Sequence, residues 1–257
     1  QLHKLKRNLA SINELKKHAD LSLLKPSLYR ELLVIGTLYQ QQQYMYENKV
    51  TSVDDRIVSL HQPHIRPIVR GKAGAHTEFG AKISISVVDG WTFTDTISFD
   101  SYNEGTELIE QIEKYKERFG YYPESTHADK IYRNKENRAY CKKHGIRISG
   151  PSLGRPPKDE KLRKEQKKIQ GQDEAIRNAV EGRFGVAKRR YKLDRILTKI
   201  KASSESLIAL VFMVMNLEKA MAFMAFIYLC FLKEVRRFSK QIQRTTQIGA
   251  FKMLVIQ

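Results

Sequence analysis

The stretch Lys82-Ile-Ser-Ile-Ser-Val-Val-Asp89-Gly90-Trp-Thr-Phe-Thr-Asp-Thr-Ile-Ser98 decides the fold class. Apolar and polar residues alternate with period two on both sides of Asp89-Gly90, the pattern of strands. Asp-Gly is a two-residue hairpin signal, because both central positions of a type I′ turn require positive φ. In the regular register Val88 pairs with Trp91 and Ser86 with Phe93, so the two strands turn their apolar sides to opposite faces. A sheet of this kind needs cover on both faces.

Downstream, Ser101-x-x-Glu104 reads as a capping box, opening a helix whose stripe is Leu108, Ile109, Ile112, Tyr115 and Phe119 and whose stop is Gly120. Short strands are expected at 125–128 and 146–148, with a polar helix from about Asn134 to His144 between them. Strand, strand, helix, strand, helix, strand is the order of an α/β domain. Gly150-Pro-Ser-Leu-Gly-Arg-Pro-Pro157 is a turn-rich loop, after which Asp159 caps a long helix carrying Ile169, Ile176, Val180 and Phe184.

Upstream, two apolar stripes predict two helices within residues 1–48, with Pro26 in a first turn and the glutamines of 40–43 on a polar face. Residues 54–72 hold His61, Pro63, His64, Arg66, Pro67 and Arg70 without clear periodicity, which predicts an extended basic loop.

A chain of 257 residues, 41% of them hydrophobic, can bury a core. Its formal net charge of +18 favours polyanions, nucleic acid first and an anionic membrane surface second. The charge is concentrated: residues 130–170 hold 14 Lys and Arg against 4 Asp and Glu, a net +10. Cys141 and Cys230 stand apart, without Cys or His at metal spacing. This argues against a disulfide framework or a zinc knuckle and for a reducing cytoplasm. The apolar run from Leu207 to Leu232 is cut by Asn216, Glu218 and Lys219 into pieces of about 9 and 13 residues, against the roughly 20 of a membrane span, so no membrane helix is expected.

Two constellations carry chemistry. In His127-Ala-Asp129-Lys-Ile-Tyr132 the aspartate follows a short strand, where open sheets gather reacting groups. The plainer reading is a turn or cap residue. On the long helix, Glu181 lies about 40° and Lys188 about 20° around the axis from Arg177, so the three share a stripe. The plainer reading here is a surface ion-pair ladder of little energetic worth.

The spacing Arg177-x3-Glu181-x6-Lys188 resembles the signature around the last catalytic glutamate of insertion-sequence DDE transposases, in an insertion-sequence-five-like branch. There a Tyr stands three residues before the Arg, where this chain has Glu174. The stretches Arg56 to Lys72, Glu78-Phe-Gly-Ala-Lys82 and Gly150 to Pro157 also resemble that branch, and the likeness runs over roughly residues 1–219. It implies an RNase H-like mixed sheet with helices on both faces, preceded by a helical insertion. The corresponding division is a partial insertion at 1–50, a basic loop at 51–75, a partial catalytic domain at 76–219 and an apolar and basic helical tail at 220–257.

The resemblance further implies Asp129 and Glu181 as two of three catalytic carboxylates, holding Mg2+ or Mn2+ for DNA cleavage and strand transfer. Arg177 and Lys188 would bind phosphate oxygens or steady Glu181. Arg66, Arg70, Lys72, Lys130, Arg133, Arg155, Lys158, Lys161, Lys164, Lys167 and Lys168 would contact DNA. The first aspartate is expected on a strand upstream of Gln1, which would make this a C-terminal fragment, inactive by itself. The implied partners are transposon ends and target DNA, with a homo-oligomer left open. Two other readings stand beside this one: a catalytically dead DNA-binding remnant, and an unrelated basic protein of membrane surfaces.

Overall fold

The computed structural model describes residues 2–72, 75–151 and 159–254, without the side chains of 69–72, 75–76 and 243–254. Two helices open the chain, α1 (Leu2–His18) and α2 (Pro26–Glu47), the second with its proline in the first turn as expected. The glutamine run lies on α2, where Gln41 accepts from the Ile57 N–H at 2.9 Å and donates to Asp55 O at 3.1 Å. The segment that follows is thereby pinned to the helix. Gln62 ties the same segment to the far end of the chain, donating to Ile196 O and Thr198 O, both at 2.8 Å.

The expectation of a loop through to Lys72 needs correction. Strand β1 (Pro67–Lys72) pairs antiparallel with β2 (Ala75–Phe79). Arginine, proline and glycine mask the period in this ribbon, and the pairing itself supplies its order.

Strands β3 (Lys82–Val88) and β4 (Trp91–Ser98) form the expected hairpin, with Asp89 at φ 49° and Gly90 at φ 73°. Val88 pairs with Trp91 and Ser86 with Phe93. Between Ser84 and Ile85 the register shifts, leaving Asp95 as the extra residue of a bulge. The bulge alters the expected division of faces. Phe93 stays on the side of Ser84 and Ser86, whereas Ile97 now pairs with Ile83 and joins Ile85 and Phe99 in the core on the other side.

Helix α3 (Leu108–Phe119) covers the first side and ends at Gly120, φ 83°. Phe119 meets Phe93 edge-on at 6.0 Å. Arg118 pairs with the enclosed Asp95 carboxylate at 3.1 Å and Lys114 donates to Asp95 O at 2.9 Å. The start of α3 differs from the expected capping box: Asn103, not Ser101, caps a short 3-10 turn at Glu104–Thr106, and α3 begins beyond it.

Next come β5 (Ser125–Thr126), α4 (Lys135–Lys143) and β6 (Arg147–Ile148), the two strands pairing in parallel. Asn134 caps α4 by accepting from the Asn137 N–H. Helix α5 (Glu160–Tyr191) starts at the Asp159 cap, and α6 (Lys201–Leu254) ends the described chain.

The main core joins Ile85 and Phe99 to Ala187 of α5 and to Ile208, Val211, Phe212 and Met215 of α6. The hairpin is thus covered on both faces. Val180 and Phe184 pack against this core, but Ile169 and Ile176 are exposed, because the first half of α5 extends past the hairpin. Among the described residues the strands form three separate pairs. Helix α6 runs unbroken through Asn216, Glu218 and Lys219, because these residues bind the hairpin and α5. It is long and apolar enough to cross a membrane by length and composition, which the division into short pieces did not anticipate. Its first turns are core; from Met221 to Phe231 most large side chains are exposed.

Candidate active site

Strand β5 stops at Thr126, two residues short of the expected 125–128, so Asp129 lies three residues past the strand, in extended backbone that opens a short turn at Lys130–Tyr132. Its carboxylate is 68% exposed and caps nothing through its side chain. The turn rests on the one at Glu104–Thr106. Asn134 and Asn137 both donate to Gly105 O, at 3.0 and 2.7 Å, and a Cβ at Gly105 would stand 2.5 Å from Ile131 O. Only glycine allows the two turns to approach this closely. Tyr132 lies beneath, its hydroxyl pKa pushed up to about 12 by burial and then by the nearby Glu104 and Glu107 carboxylates.

Arg177 of α5 donates from Nη1 to Asp129 Oδ1 at 2.7 Å, across 48 residues of sequence. Nη2 lies 3.5 Å from Glu174, the residue that stands in place of the tyrosine. The surface ladder of the plainer reading does not form at Glu181: no ion pair joins Glu181 to Arg177 or Lys188 among the described residues. Arg177 points across to the strand end, because an oppositely charged oxygen is within its reach there. Glu181 and Lys188 are exposed on the same helix, and Nε of Arg177 is buried with no hydrogen-bond partner.

Behind this pair is a cluster that sequence reasoning missed. Asp173, only 6% exposed, accepts two parallel bonds from Arg147 of β6, both 2.8 Å. Nδ1 of His127 lies 3.3 Å from Asp173 Oδ1, and His127 Nε2 is 3.0 Å from Ser125 Oγ. The Arg147 guanidinium, and after it the His127 and Gly150 contacts, hold the Asp173 carboxyl below the usual carboxylate range. Burial is the main cause of a lowered His127 pKa. An acidic residue one turn before Arg177 on the same stripe was the only available signal.

The proposed DNA contacts divide. Lys130, Lys161, Lys164, Lys167 and Lys168 are exposed, the last four on the part of α5 that extends beyond the core. Arg66 is instead turned inward, donating to Pro63 O at 2.6 Å, and Arg133 packs over Gly150. Arg155 and Lys158 lie outside the described residues, as do the side chains of Arg70 and Lys72.

Two carboxylates offer hard oxygen donors that suit Mg2+ or Mn2+. Among the described residues no group of three or more metal-binding side chains forms, so the donor set is partial. Residues 126–218, which include Asp129, Asp173, Arg177, Glu181 and Lys188, match the family described as Transposase DDE domain. No curated protein and no solved structure matches the chain.

Proposed function

We propose, taking residues 126–218 as a transposase DDE domain, that this chain supplies two carboxylates and the DNA-tracking surface of an insertion-sequence transposase that cuts and joins DNA. The observation that carries this reading is the Arg177–Asp129 bond. It joins the strand end bearing Asp129 to the helix stripe bearing Glu181. Asp129 and Glu181 would hold Mg2+ or Mn2+, and a bound pair of ions activates the attacking oxygen and stabilises the leaving one. Arg177 steadies the Asp129 carboxylate. Lys130, next to Asp129 in the chain, and Lys188, further along the helix stripe of Glu181, are exposed, and the exposed lysines of α5 follow the DNA backbone.

This reading needs a third carboxylate. In an RNase H-like sheet a further strand would join β3 to β5, and we place the first aspartate on it. The described residues by themselves would then bind DNA without cutting it. Replacing Glu181 by Gln in the protein made from the complete reading frame tests the assignment. Mg2+-dependent cutting of element ends should disappear while DNA binding stays near that of the unaltered protein. Unchanged cutting would sink it. A remnant that only binds DNA is the second reading, favoured by the partial donor set; it requires that the complete unaltered protein also fail to cut.

A further inference from the structure

We infer that Asp173 is the positioning residue of this site: by clamping α5 to the β5–β6 pair it sets the placement of Glu181 relative to Asp129. The inference rests on the reading of those two carboxylates as metal-binding groups. Strands β5 and β6 are each two residues long, and the backbone bonds Arg147 N–H to Glu124 O and Ser149 N–H to Thr126 O, both 2.9 Å, join their surroundings. A pair this short leaves the orientation of a following residue loosely fixed. The Gly105 turn holds this segment from one side, and Asp173 ties it to α5 from the other. Its carboxylate takes the fork of Arg147 from β6 and lies against His127, two residues before Asp129.

The geometry of α5 points the same way. Asp173, Arg177 and Glu181 are spaced four residues apart, so each is rotated about 40° from the one before, and all three lie along one side of the helix. The first holds the strand pair, the second holds Asp129 at 2.7 Å, and the third is left free. A rotation or axial slide of α5 would move Glu181 away from Asp129, and the two-bond fork on the buried Asp173 carboxylate opposes both, since a planar guanidinium bonds a carboxylate in one plane only. The Arg177–Asp129 pair cannot do this alone, because it is a single bond to a carboxylate that stands largely in water, and such a pair holds position weakly.

Fe2+ with ascorbate and peroxide, which cuts protein backbone close to the bound ion, provides the test on the full chain. The unaltered chain should be cut near both residue 129 and residue 181, with one Fe2+ midpoint for the two cuts. In Asp173→Asn the midpoint should rise about 10- to 100-fold, the usual cost of losing a support for a metal ligand, and the two cuts should no longer share it. Ile208→Val, which loosens the core elsewhere, should leave pattern and midpoint as they were. Because altering the buried Asp173 can prevent folding, Arg147→Lys at the half-exposed end of the pair is run in parallel: it keeps the charge and loses the fork, and its midpoint should also rise. A folded Asp173→Asn chain, or an Arg147→Lys chain, with the original pattern and midpoint overturns the inference. Absence of both cuts in the unaltered chain overturns the metal-site reading first, and the inference with it.

Discussion

The side-chain amide of Asn216 on α6 binds both backbone groups of Thr92 on β4, accepting from its N–H at 2.9 Å and donating to its carbonyl at 2.7 Å. A helix side chain thus fills the hydrogen-bonding edge that another strand would otherwise occupy. Thr92 is almost completely buried, so water cannot replace the amide.

Asn216→Ala should therefore leave a buried donor and acceptor unpaired, at a cost of roughly 2 kcal/mol or more. Asn216→Asp should do worse, since a carboxylate brings no donor to the Thr92 carbonyl. Urea unfolding is the measurement, and the midpoint should fall without a change in slope. An unchanged midpoint would show that the amide contributes nothing to stability.

Acid should weaken the fold through Asp173. Its pKa is depressed in the folded chain, chiefly by the bonds from Arg147, so the unfolded chain binds the proton more readily. The stabilisation is present above the ordinary aspartate pKa of about 3.9 and is lost as pH falls through the lower folded value. Stability measured from pH 6 downwards should decline less steeply in Asp173→Asn than in the unaltered chain. Parallel curves for the two would assign the acid sensitivity to other carboxylates.

DNA binding should depend steeply on salt. Changing Lys161, Lys164, Lys167 and Lys168 together to Glu should weaken binding to all duplexes alike and lower the slope of log K against log salt by roughly 3 to 4, about 0.9 for each phosphate that is no longer neutralised. Fluorescence anisotropy at a series of salt concentrations gives the slope. Weakening confined to one sequence would indicate base readout instead.

The exposed apolar length of α6 should bind a hydrophobic dye. Phe223, Phe226 and Phe231 are each more than half exposed on a helix that is apolar all round at this level, a pattern normal for covered helices and rare on free surfaces. Anilinonaphthalene sulfonate fluorescence should drop when Phe226 and Phe231 are replaced by Gln, while the unfolding midpoint changes little. Equal fluorescence in the two proteins would place the dye elsewhere.

Local chemistry was legible in the sequence, because its causes lie within a few residues. Asp89-Gly90 fixed the hairpin turn, Gly120 stopped α3, Asp159 capped α5, and the spacing of Arg177, Glu181 and Lys188 placed them along one helix. Side-chain faces were legible only up to Asp95. The bulge there reverses the alternation of β4, and it is held by Arg118 and Lys114 of a helix that pattern reading cannot dock. The β1–β2 ribbon was hidden for a related reason, since its order comes from pairing and not from a period of its own.

What only the tertiary structure decided is which charges meet. Along the sequence, Arg177 has Glu181 one turn away and Asp129 48 residues away, yet it bonds Asp129, because the β5 end brings a carboxylate within 2.7 Å. Asp173 carries no mark in the sequence beyond its place on the stripe. Its burial against Arg147 and His127 arises from the packing of α5 on β5 and β6. Helix periodicity sets the direction in which a side chain projects; the distance to a partner on another element depends on how the elements pack.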